Sequence, residues 1–458
     1  MEQRLQTQQY TAIISRGVMR VFAVTALVGV QATLAVAQSI DRAALPAELS
    51  TLTDEEVARI ARMSPLPAVP GDPSNRFVDD ETAARLGHRL FFDRRISPAA
   101  VTCADCHIPD KWFTDGKPLG DAIGTSSRNT PTVIDAARRR WVGWDGKFDS
   151  LWSQALAPIE HPDEMGSSRE RLLRTVRDDA TLRGMYERVF GPWPAALAAK
   201  DTDPIADEWK TAVDAGLHAA EVTAARQKSI DATTANVLKA LGAYQRRLVS
   251  GEAPIDRAVA ALKAGKAVDP GDLDASALRG LGLFVSRAGC FQCHRGPSFT
   301  DEEFHNLGFA GANGKVPDDP ARLAAVDFLK ASPWNAAGGF SDAADAPKGQ
   351  MVRSLRRSGE LFGQFRTPPL RGVARTPPYM HDGRLSSLAD VVRFYDTLEG
   401  ASPVGHHGEN VLVPLGLTEG ERADLERFLS SLTGKEPNPE WTRDPVPPER
   451  RTADPEGR

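Results

Sequence analysis

The four cysteines of this chain are its most constraining feature, because all of them lie in two copies of one short motif. The copies read Cys103-Ala-Asp-Cys106-His107 and Cys290-Phe-Gln-Cys293-His294. Cys-x-x-Cys-His is the attachment motif of a c-type haem: both thiols bond to the haem and the histidine binds its iron. A redox dithiol and a shared zinc site are the alternatives, but neither requires a histidine after each pair. The pattern therefore predicts two covalently bound haem c groups.

The first 37 residues have the three parts of a secretory signal peptide. Arg16 and Arg20 precede an apolar run, Val21 to Ala37, which ends in the small-x-small sequence Ala-Val-Ala. The run contains Gln31 and is short for a membrane span, so an uncleaved anchor is the weaker alternative. We expect the segment 1–37 to be removed on export.

The charge of the expected mature chain argues against one class of partner. Cleavage removes three basic residues and one acidic residue from totals of 56 and 61, which leaves 53 Lys+Arg against 60 Asp+Glu, a net charge of −7. A nucleic-acid-binding protein needs a basic face, so no nucleic-acid partner is expected. The sequence leaves the oligomeric state open.

The chain repeats itself in order, and this repeat indicates its architecture. Four motifs of the first half return in the second: Leu90-Phe91 as Leu283-Phe284, Phe113-Thr114-Asp115 as Phe299-Thr300-Asp301, Arg128-Asn129-Thr130-Pro131 as Phe365-Arg366-Thr367-Pro368, and Trp144-Asp145-Gly146 as His381-Asp382-Gly383. Strand patterns are sparse between them. We expect an all-α fold with two cytochrome c-like haem domains in tandem, residues 75–250 and 270–435, after the signal peptide.

Two segments show the helical pattern clearly. A helical stretch over 205–250 carries an apolar stripe, Val237, Leu238, Leu241, Tyr244 and Leu248. Thr418 and Glu421 predict a capping box at the start of a closing helix. Residues 310–349 lack periodicity and predict a long loop, whereas 436–458, rich in proline and charge, predict a flexible tail.

The repeat also predicts that the two haems differ in their distal ligands. Continuing the alignment places Pro158 opposite Tyr395. A tyrosine oxygen can bind ferric iron and proline cannot, so we expect His294 and Tyr395 on the second haem, and His107 with an open face on the first. Tyr395 could instead be a core tyrosine. Other candidate ligands of the second haem are Met351, Met380, His305 and His381.

An open haem that activates peroxide needs an acid–base group and a dipole beside it. Gln154 precedes Pro158 by one helical turn, and several titratable residues follow. Glu164 is the preferred acid–base, and His161 is its competitor.

These motifs resemble the bacterial di-haem cytochrome c peroxidases, the superfamily that includes MauG. The resemblance covers about residues 75–435, and its most specific blocks are 365–371 with 378–384, and Trp144-Asp145-Gly146 with Gln154, Pro158 and Glu164. It implies that peroxide is reduced at the N-terminal haem, where Gln154 and Glu164 form the distal pair. It also implies that Trp144 relays electrons between the haems, and that attachment occurs outside the cytoplasm, which agrees with a periplasmic location.

The resemblance further implies an interdomain calcium at Asn129, Thr376 and Pro378, and oxygen donors suit that ion. The chain departs from many family members in two ways: they have methionine at the position of Tyr395, and a histidine in the loop that here spans 111–127 without one. Both departures are MauG-like.

Three functions follow as expectations. The first is a periplasmic peroxidase that reduces hydrogen peroxide with electrons from a small redox protein, a cytochrome c or a cupredoxin. The second is a MauG-type enzyme that uses peroxide to oxidise side chains of a partner protein. The third, from another class, is a di-haem electron carrier, which the pair Gln154 and Glu164 disfavours.

Overall fold

Helices form most of the secondary structure, and long loops join them. The computed structural model describes residues 39–198, 219–309, 318–401 and 412–446, so the expected signal peptide lies outside the described residues. The α-helices in these ranges are α1 (Asp54–Ala61), α2 (Glu81–Phe91), α3 (Cys103–Cys106), α4 (Leu151–Gln154), α5 (Leu156–Glu160), α6 (Arg169–Asp178), α7 (Ala180–Phe190), α8 (Ala219–Gln245), α9 (Pro254–Lys263), α10 (Ala275–Val285), α11 (Arg322–Ala331), α12 (Pro347–Ser354), α13 (Leu388–Thr397), α14 (Glu419–Ser430) and α15 (Pro439–Thr442). Strands β1 (Phe304–His305) and β2 (Phe365–Arg366) pair antiparallel. The helix-rich prediction is confirmed. None of the described helices is long and apolar enough to cross a membrane.

Two hydrophobic cores are each built around one close helix crossing. In the first core α2 packs across α8, and in the second α10 packs across α14. Both crossings need a glycine: a Cβ on Gly87 would lie 2.1 Å from the Ala240 carbonyl oxygen, and one on Gly280 would lie 2.0 Å from that of Asp424. Each glycine lies three residues before the repeated Leu-Phe pair. The repeat in the sequence is therefore also a repeat in the packing.

The two predicted helical patterns are confirmed where the structure describes them. All five residues of the predicted stripe are buried, four of them in α8 and Leu248 just after it, whereas residues 205–218 lie outside the described ranges. Thr418 and Glu421 form the predicted capping box of α14, whose Leu425 and Phe428 are buried. Both cores include residues from outside the predicted domain ranges, such as Trp334 in the first core and Ile255 in the second, so the two domain ranges stay a prediction.

The two terminal segments pack on opposite halves of the chain. Residues 40–63, including α1, join the second core, whereas Trp441 of α15 joins the first. The indole of Trp441 is 7% exposed, and its backbone oxygen accepts a 2.8 Å hydrogen bond from the Tyr244 hydroxyl. The predicted flexible tail is therefore wrong for residues 436–446, because one aromatic side chain anchors them, and 447–458 lie outside the described residues.

The predicted long loop over 310–349 is also partly wrong. Residues 322–331 form α11, whose Ala325, Val326 and Leu329 are buried. These three residues recur at helical spacing, but the surrounding alanine and glycine hide the pattern. Residues 310–317 lie outside the described ranges.

Candidate functional site

The first Cys-x-x-Cys-His motif begins with a capped one-turn helix. Thr102 and Asp105 form a capping box around α3: the Asp105 carboxylate accepts from the Thr102 backbone N–H at 2.8 Å. The chain then turns so that the Phe113 backbone oxygen accepts a 3.2 Å hydrogen bond from Nδ1 of His107. This bond fixes the tautomer and leaves Nε2 of His107 available for a metal.

The second motif repeats the same arrangement. Nδ1 of His294 donates to the Phe299 backbone oxygen at 3.0 Å. Burial lowers the pKa of both His107 and His294, so each ring is held neutral, the form that binds a metal. Phe113 and Phe299 both have a positive φ, 55° and 54°. The repeated Phe-Thr-Asp sequence therefore supplies the carbonyl acceptor on each side.

A further shared contact fixes these two turns. The Asp115 carboxylate accepts from the Thr130 hydroxyl at 3.0 Å, and the corresponding Thr367 side chain bonds to Asp301. The repeated Thr-Pro sequences thus pack against the repeated Phe-Thr-Asp turns, one pair beside each motif.

Glu164, one of the expected distal groups, acts electrostatically on the first motif. Burial raises the pKa of the Cys103 thiol to about 12 and that of the Cys106 thiol to about 11, and the charge of Glu164 contributes to both rises. Glu164 and Gln154 are both half-buried, and Gln154 is the last residue of α4. His161 is exposed. This placement favours Glu164 over His161.

The second motif opens onto a cavity of about 820 Å³. Its walls include Cys290, Cys293, His294 and Tyr395. The two cysteine sulfurs lie close enough to the Tyr395 hydroxyl to raise its pKa, after the larger effect of burial.

Three of the four other candidate ligands also line this cavity. His305 bonds through Nε2 to the Asp301 carboxylate at 2.9 Å, and the His381 ring stacks on Phe365 with centroids 3.6 Å apart. Met380 is the third. Met351 instead packs in a separate cluster with Trp141, Leu329 and Val352.

Trp144 contacts both halves of the molecule, the N-terminal half that contains the first motif and the C-terminal half that contains the second. Its indole Nε1 donates to the Asn129 backbone oxygen at 2.9 Å, and its own backbone oxygen accepts from the Arg366 N–H at 2.8 Å. Trp144 also lines the cavity of the second motif. The residue expected to relay electrons is therefore in contact with both halves.

Comparisons with known proteins agree with this geometry. The family model described as di-haem cytochrome c peroxidase matches residues 81–264. The cytochrome-c peroxidase IdrP1 of Denitromonas iodatirespirans is 31% identical over 386 residues, 83% of this chain and 88% of that protein. The methylamine utilization protein MauG of Methylorubrum extorquens is 30% identical over 370 residues, 80% of this chain and 81% of that protein.

The chain belongs to the di-haem cytochrome c peroxidase/MauG family. It is an oxidoreductase of that family. Two solved structures show the same fold: a MauG-like protein associated with microbial copper homeostasis, with TM-score 0.55 and 24% identity over 83% of this chain and 98% of that one. The other is the dihaem peroxidase BthA of Burkholderia thailandensis, with TM-score 0.54 and 21% identity over 80% of this chain and 89% of that one.

The residues present fit the haem c groups that the family implies. Both motifs place two thiols beside a neutral, hydrogen-bonded histidine, and the second has a cavity within the range of protein ligand sites. The second site would hold its haem through Cys290 and Cys293, with His294 as the iron ligand. The first site has the same set of donors.

The three residues implied for calcium line the same cavity as Trp144. The Asn129 amide Nδ2 donates to the Lys117 backbone oxygen at 2.9 Å, and the Thr376 hydroxyl donates to that of Val373 at 3.2 Å. Pro378 is the third residue. The structure thus brings Asn129, Thr376 and Pro378 to the same region between the halves.

Sequence reasoning missed two groups of this site. The carbonyls of Phe113 and Phe299 were not assigned, although the repeat of Phe-Thr-Asp at a near-constant distance from each histidine marks them. Arg139 and Arg366, which line the cavity, were not singled out either, since nothing local marks an arginine as buried.

Proposed function

We propose that this protein is a periplasmic di-haem peroxidase that reduces hydrogen peroxide at the N-terminal haem. Cys103, Cys106 and His107 would hold that haem, and electrons would reach it from the haem of the second motif. The observation that carries the proposal is Glu164, half-buried and near enough to affect both thiols of the first motif. The bound haem supplies the oxidation–reduction chemistry, and the following steps concern the side chains.

Glu164 moves the proton that peroxide cleavage requires. Its carboxylate oxygen takes the proton from one peroxide oxygen and returns it to the other, which then leaves as water. The Gln154 amide stabilises the charge that develops during this transfer. His107, which would bind the iron, is positioned by its hydrogen bond to the Phe113 backbone oxygen.

Electron transfer between the halves runs through Trp144 in this proposal. Its indole is tied to Asn129 of the first half, and its backbone to Arg366 of the second. Asn129, Thr376 and Pro378 would supply oxygen ligands for a calcium ion beside it. The electron donor is a small redox protein, a cytochrome c or a cupredoxin, and the expected signal peptide supports a periplasmic location.

The test is stopped-flow spectroscopy of the fully oxidised, two-haem protein with equimolar peroxide. A rapid absorbance change with loss of peroxide, without prior reduction, supports an open first site. A response only after one-electron reduction would show that the first site is capped, and the protein would then be a reductively activated peroxidase. No response to peroxide in either the oxidised or the half-reduced state would favour the third function, a di-haem electron carrier.

Tyr395 favours a second candidate, a MauG-type enzyme whose reductant is a partner protein. Tyr395 lines the same cavity as Cys290 and Cys293, and a phenolate ligand would stabilise oxidised iron and lower the haem potential relative to methionine. In Tyr395→Phe the EPR and optical signals of one haem should change, and its potential should rise. Unchanged signals would exclude Tyr395 as a ligand and remove the support for this candidate.

A further inference from the structure

The cavity of the second motif is lined by arginines that are unequally paired. Seven line it among the described residues. Five of them each have a carboxylate partner of their own: Arg128, Arg138, Arg287, Arg371 and Arg384. Of the other two, Arg366 has only the more distant Glu302 carboxylate, and Arg139 forms no ion pair with a described residue.

Arg366 is 3% exposed, and its guanidinium has weak partners. It donates to the Thr367 backbone oxygen at 3.1 Å and to that of Gly143 at 3.5 Å, and it lies 3.7 Å from the Glu302 carboxylate. Burial lowers its pKa. Its charge is therefore only partly balanced.

Arg139 comes from the other half of the chain and is less well paired. Nη2 donates to the Thr132 backbone oxygen at 3.0 Å, whereas Nε is buried without a partner. Burial, and then the charge of Arg366, lowers the pKa of Arg139 to about 10. Both guanidiniums line the same cavity, and the carboxylates whose charges act on Arg139 are Glu302 and Asp135.

Asp135 already pairs with Arg138, so Glu302 is the one carboxylate left to balance the buried Arg366 and the half-buried Arg139. A buried charge without a partner is unfavourable in free energy, so this part of the cavity favours a further anion. The same cavity holds Cys290, Cys293 and His294. A haem c bonded to those thiols has two propionate groups on the edge opposite its thioether bonds.

We propose that Arg139 and Arg366 together bind a carboxylate, a propionate of the haem that Cys290 and Cys293 anchor. Arginine forms paired hydrogen bonds with a carboxylate, and this contact would satisfy the free Nε of Arg139. The second haem site is then completed by an arginine of the first half. The proposal rests on the second haem of the proposed function, and it does not depend on peroxidase activity.

The test uses the holoprotein with its haem content counted before each measurement. Resonance Raman spectroscopy reports the propionate bending band, and spectroelectrochemistry reports both midpoint potentials. In Arg139→Gln and Arg366→Gln we expect the bending band of one haem to shift and its midpoint potential to fall, because a cation that balances the propionate is lost. The other haem should keep its potential.

Arg384→Gln is the matched control. Arg384 lines the same cavity but is paired with Asp382, so its loss should leave the propionate band in place. Arg366→Lys, which keeps the charge but not the paired geometry, should shift the band without a comparable fall in potential. If Arg366→Gln does not fold, Arg139→Gln and Arg139→Lys carry the same test, since Arg139 has fewer bonds to the backbone.

Two outcomes would overturn the proposal. An unchanged band and potential in folded Arg139→Gln would show that no propionate lies against this residue. A wild-type potential that varies with added acetate, with an unchanged propionate band in both variants, would show that the pair binds a free carboxylate from solution. If the wild-type protein does not turn over peroxide but its propionate band responds to the arginine variants as expected, the proposed peroxidase function is wrong and the propionate contact stands.

Discussion

The two halves of the molecule share a turn-and-helix scaffold after each Cys-x-x-Cys-His motif, but they differ in the side chains that this scaffold carries. The antiparallel bridge between Val142 and Phe148 returns as the bridge between Tyr379 and Leu385, and the matched glycines of the two turns, Gly146 and Gly383, have the same φ of 64°. Both turns lead into a serine-capped helix, α4 or α13. Duplication has therefore preserved the scaffold closely enough that residues can be matched one by one.

The same spacing shows where the halves diverge. Gln154 corresponds to Val391, Pro158 to Tyr395, and Glu164 to Ala401. The first half thus has a polar pair where the second has aliphatic side chains, and the second has a phenol where the first has none. A shared scaffold with different residues at these matched positions is what two haems with different functions would require.

The difference between Pro158 and Tyr395 also changes the backbone. Helix α13 runs unbroken over Leu388–Thr397, whereas its counterpart is divided into α4 and α5 at Ala155. Pro158 has no N–H to donate within a helix, and its ring crowds the preceding turn. After α5 ends at Glu160, the chain turns and brings Glu164 toward the first motif.

The largest expected effect tests this divergence at Glu164. Glu164→Gln keeps the shape of the side chain but removes the proton acceptor, so reaction with peroxide should slow by about 10²–10⁴-fold. Stopped-flow rates of the two-haem protein measure this, and both haems should keep their resting spectra. Asp163→Asn is the control, since it removes the same charge from an exposed neighbour.

A rate that is normal in Glu164→Gln and slow in His161→Gln would transfer the acid–base role to His161. Normal rates in both variants would mean that proton transfer uses neither residue. The functional contrast between Glu164 and Ala401 would then have no support.

The sequence predicts the shared scaffold well because its signals are local. Cap residues such as Thr418 and apolar spacing such as that of Leu238 and Leu241 act within one helix, and both patterns are confirmed. The helix-rich fold and the family follow from the same motifs. The roles of Tyr395 and Glu164 remain predictions.

What the sequence missed depends on contacts between distant segments. Trp441 holds the C-terminal segment against the first core through one side chain, and no periodic pattern accompanies it. Arg139 and Arg366 meet only when the halves pack together, and a single arginine has no mark of burial in sequence. Helix α11 was missed because its apolar residues lie in a segment rich in alanine and glycine, which hides their helical spacing.

A smaller effect is expected on the pH dependence of stability, because one buried histidine of the first half has no counterpart in the second. His88 stands where the second half has Leu281, and both side chains are buried. Burial lowers the pKa of His88 to about 4, below its ordinary 6.5, so the folded protein holds it neutral. The stability that neutral His88 contributes to the folded protein is complete above pH 6.5. It is lost as the pH falls toward 4, and the full loss in the free energy of unfolding is roughly 3 kcal/mol.

Denaturant unfolding at pH 7 and pH 4.5 measures that loss. His88→Leu copies the second half and should reduce the decrease in stability between the two pH values. At pH 7 it should be somewhat less stable, because Nε2 of His88 donates to the Arg443 backbone oxygen at 2.7 Å. His381 also has a pKa lowered by burial to about 4, so part of the decrease should remain in the variant. An unaltered decrease would mean that His88 does not sense pH.

The smallest expected effect is on stability, at the close helix crossing that both halves share. Gly87→Ala and Gly280→Ala would each place a methyl group about 2 Å from a backbone oxygen of the crossing helix, Ala240 or Asp424. Because backbone cannot rotate away as a side chain does, each crossing should open at a cost of about 1–3 kcal/mol, measured by denaturant unfolding. Gly420→Ala in α14 is the control, since nothing lies within 4 Å of its Cβ. Equal losses at Gly87 and Gly280 would support one duplicated crossing, whereas a loss at one site alone would show that only that half depends on close packing.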